Sequence, residues 1–140
     1  VNISIFYATK TGNSRKIAEA IGERFKVRPL DIMESPSPNG TSILVIVGGI
    51  YFGKSKKELK SFIKSLDPAK VKCAAVVTTS GEGQKRTGSS EVVKLLKRKS
   101  ITVLSELNIR GKAFIFPTGH PDEADLKEAA QWSENIIKVC

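Results

Sequence analysis

A chain of 140 residues is long enough for one domain that buries roughly two-thirds of the surface its unfolded form exposes, and 40% apolar with 26% charged residues excludes disordered and fibrous classes. No apolar run approaches the ~20 residues that span a bilayer, and the N-terminus enters a strand-like run within two residues, so neither a membrane anchor nor a cleavable leader is expected. The net charge of +9 raises the question of a polyanionic partner, but no nucleic-acid motif or interleaved aromatic platform accompanies it, so a direct nucleic-acid function is not expected.

Asn2 to Tyr7 alternates as a half-buried strand does. Thr9-Lys10-Thr11-Gly12-Asn13-Ser14 follows, a loop with three hydroxyls, one glycine and a row of backbone N–H groups at the start of a helix. That set suits a phosphate dianion, and it suits equally an ordinary N-cap in which Asn13 or Ser14 satisfies the first turn. Ile17, Ala18, Ile21 and Phe25 then recur at helical spacing. Lys26 to Ile32 reads as a short strand, and Glu34 to Gly40 as a turn-rich loop. Ser42 to Val47 is almost continuously β-branched, as expected of a strand buried on both faces of a parallel sheet, and it is expected to end at Gly48-Gly49.

Leu59, Phe62, Ile63 and Leu66 mark a second amphipathic helix stopped by Asp67-Pro68. Val71 to Thr79 is another buried strand, opening into the polar loop Ser80 to Gln84. A third helix presents Val92, Val93 and Leu96 and runs to about Lys99, and Ile101 to Leu107 supplies a further strand. Asn108 to Phe116 is ambiguous, with a strand fragment open at Ala113 to Phe116. The last helix is expected from Asp122 to Val139, with Leu126, Ala129, Ala130 and Ile137 inward and Trp132 near that face. Cys73 and Cys140 have neither metal-ligand spacing nor the density of a disulfide scaffold, which fits a reducing, cytoplasmic setting. The two lysine-rich stretches, residues 54–64 and 85–99, read as solvated helix faces.

This alternation of strands and helices predicts one α/β domain over residues 1–140, a doubly wound three-layer sandwich whose ligand sits at the carboxyl ends of the strands. Three loops leave such ends: Thr9 to Ser14, Gly48 to Lys54, and Thr78 to Gly83. The second matches the nucleotide-triphosphate pattern, with Gly48 followed by Gly53-Lys54-Ser55 at the required spacing. Ile50, Tyr51 and Phe52 are bulky for a loop that wraps phosphate, and no other buried strand ends in the acidic residue that completes the metal site, so this nucleotide reading stands only as a remote alternative. A dinucleotide site is weaker still, because Gly81-Glu82-Gly83 lacks the third glycine. If Tyr51 and Phe52 are the working part of the second loop, one loop grips phosphate while the other presents aromatic surface, as a flat ring system carrying a phosphate requires. Packing of both aromatics under the second helix is the plain alternative.

On these residues the whole chain resembles the flavodoxin family, in its short-chain form. The resemblance implies a five-stranded parallel sheet of order 2-1-3-4-5 and FMN as cofactor. Thr9, Thr11 and Ser14, with the N–H groups from Lys10 through Gly12 and Asn13 to Ser14, would bind the FMN phosphate. Gly48, Gly49, Ile50, Tyr51, Phe52, Gly53 and Lys54 would form the second flavin loop, with Tyr51 or Phe52 stacked on the ring and the Gly53 peptide flipping. Thr79, Ser80, Gly81, Glu82 and Gly83 would line the pyrimidine edge. The third loop carries no aromatic, so the outer ring face is expected to be more open than is usual in the family. The chain is basic where family members are typically acidic, and Lys54 stands where an acidic residue is often found.

The function implied is a monomeric electron carrier that passes single electrons between redox proteins with acidic docking surfaces, without metal, nucleic acid or membrane insertion. No acid/base pair or nucleophile is evident. The alternative is an enzyme on the same scaffold, an FMN-dependent quinone reductase or a quinone-linked protoporphyrinogen oxidase. His120, the only histidine, reads as a turn residue between Gly119 and Pro121.

Overall fold

The computed structural model describes residues 2–8, 13–33, 41–51, 54–55, 57–80, 88–110 and 123–137. In chain order these form β1 (Ile3–Ala8), α1 (Asn13–Phe25), β2 (Leu30–Asp31), β3 (Thr41–Tyr51), β4 (Lys54–Ser55), α2 (Lys57–Lys64), β5 (Val71–Ser80), α3 (Gly88–Arg98), β6 (Thr102–Arg110) and α4 (Glu123–Ile137). Five strands are parallel in the order β2-β1-β3-β5-β6, with the short β4 pairing antiparallel to β3. With β4 set aside this is the expected 2-1-3-4-5 order of a flavodoxin-like fold.

Alternation along the strands divides the core into two layers. Phe6 and Ala8 of β1, with Leu44, Ile46, Ala74 and Val76, lie with α2 and α3, where Leu59, Phe62, Ile63, Val92 and Leu96 are buried. Ile5 and Tyr7, with Ile43, Val45, Val47 and Val77, lie with α1 and α4, against Ile17, Ala18, Ile21 and Ala129. The Phe6 and Phe62 rings pack tilted, with centroids 5.0 Å apart. On the far layer the Trp132 indole N–H donates to Ser105 Oγ at 3.0 Å, docking α4 on β6. The Arg24 guanidinium grips the Glu134 carboxylate at 2.5 and 3.1 Å, joining α1 to α4.

Two helices end on the same device. At the end of α1, Lys26 takes a left-handed φ of 56°, and Val27 N–H donates back to Gly22 O at 2.9 Å. At the end of α3, Ser100 has φ 64°, with Ser100 N–H donating to Lys97 O and Ile101 N–H to Leu96 O. The buried Ile101 and Leu96 supply the apolar contact that accompanies this cap. Beyond α2, Asp67 Oδ1 accepts the Ala69 N–H at 2.9 Å, an Asx turn that feeds the chain into β5.

The structure corrects several expected boundaries. The strand expected over Lys26 to Ile32 is present but shorter: its first residues complete the α1 cap, and Leu30–Asp31 pairs with β1, with Ile32 N–H donating to Tyr7 O at 3.1 Å. β3 does not end at Gly48-Gly49, because Gly48 and Gly49 pair with Thr78 and Thr79 and the strand continues to Tyr51. β5 takes in Ser80, and β6 extends to Arg110 because Ser80 offers Arg110 a parallel partner. The fragment Ala113 to Phe116 lies outside the described residues. Cys73, which the sequence suggested was a reduced thiol, is disulfide-bonded. The only other cysteine, Cys140, lies outside the described residues.

Candidate functional site

The strand order reverses between β1 and β3, since the chain leaves β1 toward β2 on one side and returns to β3 on the other. A crevice opens at the carboxyl edge of a parallel sheet at such a point. Ala8 pairs with Gly48 and Gly48 with Thr78, so the ends of β1, β3 and β5 stand in one row. α1 starts at Asn13, five residues after Ala8, and turns its free first-turn N–H groups toward that edge.

Ser14 is the informative residue. It is 1% exposed, in the first turn of α1, and its Oγ has no hydrogen-bond partner. An N-cap serine would use its hydroxyl on the backbone N–H two or three residues on; Ser14 does not. A buried hydroxyl left unsatisfied costs about 1–3 kcal/mol, and this one lies where four N–H groups also lack intrahelical acceptors. The first turn carries no acidic residue. It carries instead Arg15 and Lys16, an unfavourable sign for a helix N-terminus unless an anion is bound there. Glu19 offsets Arg15 in part, from 3.7 Å.

The second loop is built as a hairpin. Ile50 pairs with Ser55 and Tyr51 with Lys54, so the chain reverses between Tyr51 and Lys54 before α2 begins at Lys57. This geometry removes the triphosphate-loop reading: Gly48 is paired inside a parallel sheet, and Lys54-Ser55 form a strand rather than the start of a helix. At Gly48 a side chain has no room, since a Cβ would lie 2.5 Å from Leu59 Cδ2. The glycine therefore allows α2 to close over the end of β3.

Of the expected site residues, the structure brings Asn13 and Ser14, Gly48 to Tyr51, Lys54, and Thr79 and Ser80 to the same edge of the sheet. Thr9, Lys10, Thr11, Gly12, Phe52, Gly53, Gly81, Glu82, Gly83 and His120 lie outside the described residues. One residue joins them that stood at the start of the third loop but outside the set expected to contact the cofactor. Thr78, 1% exposed beside Gly48, is the second buried hydroxyl without a partner. As a β-branched residue it merges into the Val76-Val77 run, and the only sequence signal was an oxygen at the end of an otherwise apolar strand.

Among the described residues no group of His, Cys, Asp and Glu could hold a metal ion, and no helix is long and apolar enough to cross a membrane.

Known proteins resemble this chain in sequence and in fold. An uncharacterized protein of Methanocaldococcus jannaschii, MJ0298, is 27% identical over 137 residues, covering 90% of this chain and 91% of the relative. A flavodoxin from the domain Archaea superposes with a TM-score of 0.76 at 14% identity, over 99% of this chain and 97% of the other. A variant flavodoxin of Fusobacterium nucleatum bound to flavin mononucleotide superposes with a TM-score of 0.66 at 17% identity, over 98% and 95% of the two chains. The sequence model described as a flavodoxin domain matches residues 4–112, and the chain belongs to that family.

Proposed function

We propose that the protein binds FMN at the carboxyl edge of the sheet and serves as an electron carrier between redox proteins. The observation that carries this reading is the unpartnered, buried Ser14 hydroxyl at the start of α1. It fits a phosphate ester, which accepts the hydroxyl and first-turn N–H hydrogen bonds together and places negative charge at the positive end of the helix. Thr9 and Thr11 would add their hydroxyls. The β3–β4 hairpin would carry the aromatic of Tyr51 or Phe52 against the ring, and the strand end at Thr79 and Ser80 would meet its pyrimidine edge. When bound, the flavin supplies the one- and two-electron chemistry, and the chain's own task is to hold, orient and partly shield it. The proposed setting is the cytoplasm, where a disulfide such as that at Cys73 persists only if its potential lies below that of the glutathione pool.

Titration with FMN, riboflavin and ATP, followed by flavin absorbance and fluorescence and by calorimetry for ATP, tests the reading. FMN is expected to bind at least tenfold more tightly than riboflavin, since hydrogen bonds to a charged group contribute about 1.5–3 kcal/mol each. Equal affinity for FMN and riboflavin, or binding of ATP alone, would overturn it.

A further inference from the structure

The C-terminal ends of the two lysine-rich stretches, which looked like separate solvated faces, meet at the pole opposite the candidate site. In a doubly wound sheet the helices α2 and α3 end where β5 and β6 begin. Lys64 closes α2, and Lys97 and Arg98 close α3. Lys99 Nζ donates to Lys64 O at 3.0 Å and ties the two helix ends together. Lys70 and Lys72 flank the first residue of β5. Five of these six side chains are exposed and Lys99 is half-buried. None of the six is in an ion pair among the described residues. Asp67 is the acidic residue among them, and its Oδ1 is engaged by the Ala69 N–H.

Helix dipoles account for part of this, because cations are favoured in a last helical turn. They do not account for Lys70 and Lys72, which lie in a turn and a strand. The opposite end is mixed in sign: Arg15 faces Glu19 there, and Lys16, Lys54 and Arg110 stand with Asp31, Glu58 and the acidic start of α4. Among the described residues the charge is therefore polarised along the strands, with the excess of positive charge at the pole away from the site.

We propose that this pole is a docking surface for an anionic lipid bilayer, held by charge alone and without insertion. Three observations favour that occupant. The pole presents helix C-termini, which offer no free N–H groups to hold a single phosphate, so the attraction is the diffuse one of side-chain charge. No aromatic residue interleaves residues 64–72 or 97–101 to stack a nucleobase. The large apolar residue that is exposed among those described, Met33, follows β2 at the other end, so the described residues of the pole present no apolar anchor of the kind that centres a protein–protein interface. β5 runs ten residues from the pole to the site edge, roughly 30 Å at strand rise. A bilayer bound at the pole leaves the candidate site facing away from the membrane, toward aqueous partners. Membrane docking at the pole does not depend on FMN binding at the other end.

Cosedimentation of the full chain with phosphatidylcholine vesicles, with and without added phosphatidylserine, tests it. Binding is expected only to the anionic vesicles, and it is expected to disappear as salt shortens the reach of the charges. Lys70→Gln with Arg98→Gln is expected to weaken binding by roughly fivefold per charge removed. Lys16→Gln with Lys127→Gln, an equal charge change on the α1/α4 layer, is expected to have a far smaller effect. Circular dichroism confirms that each variant is folded. Equal binding to neutral vesicles, no binding to anionic vesicles at low salt, or equal losses for the two double variants would overturn the proposal. So would tighter binding, at matched salt, to duplex DNA or to polyglutamate, which would assign the pole to nucleic acid or to an acidic protein.

Discussion

Ser14 separates two readings by the sign of a single substitution. If its hydroxyl capped α1, Ser14→Ala would destabilise the protein by about 1 kcal/mol. Because the Oγ is buried without a partner, Ser14→Ala is expected instead to leave the flavin-free protein as stable or up to ~1 kcal/mol more stable. The same variant is expected to weaken FMN by about tenfold while leaving riboflavin unchanged. Urea unfolding of the flavin-free protein and parallel titrations check both halves. Lys54 carries a second prediction at this scale. With FMN bound as proposed, a positive charge on the β3–β4 hairpin would favour the anionic, fully reduced flavin. Lys54→Asp is expected to make the potential of the second electron more negative, and an unchanged or raised potential in a redox titration removes this role. The candidate residues at the α1 start were legible because hydroxyls beside a helix start have few uses. The burial of Ser14 was not, since it depends on how α1 packs against the sheet.

At the scale of elements, both left-handed caps are held by residues with a side chain. A glycine at C′ avoids the Cβ crowding of positive φ, so Lys26→Gly and Ser100→Gly are each expected to raise stability by ~0.5–1 kcal/mol in urea melts. Gly22→Ala acts in the opposite direction, because its Cβ would meet the Val27 carbonyl that follows the cap; a loss of about 1–3 kcal/mol is expected. The elements themselves were readable wherever one residue type dominates a face. The β-branched run of β3 and the Leu59, Phe62, Ile63 stripe of α2 both announced their burial, and both are buried. Boundaries failed where distant pairing decides them. Gly48-Gly49 reads locally as a strand stop, yet β1 and β5 offer Gly48 partners and β5 offers one to Gly49, so the strand runs on. Lys26 reads as the start of a strand, but the carbonyl that α1 leaves unpaired at Gly22 recruits Val27 first.

For the molecule as a whole, the disulfide at Cys73 makes stability depend on redox conditions. Reduction is expected to lower the melting temperature by on the order of 10 °C, from the ~2–4 kcal/mol such a crosslink contributes. Cys73→Ser is expected to melt at the lower temperature with or without reductant. Thiol titration of unreduced, denatured protein gives a direct check, because a formed disulfide leaves no reactive thiol. The charge polarity was hidden from the sequence for a plain reason: residues 64, 70, 72 and 97–99 become neighbours only when parallel strands gather their starts at one edge.

The two unpartnered hydroxyls at the site edge also tie folding to cofactor supply. A protein that leaves Ser14 and Thr78 unsatisfied when empty gains by mass action whatever its ligand contributes, about 2.7 kcal/mol at a free concentration one hundred times the dissociation constant. Its population of opened molecules, and with it its exposure to proteases, then falls as the ligand becomes available. With FMN as the proposed ligand, the amount of this protein in a cell would follow the cell's supply of that cofactor.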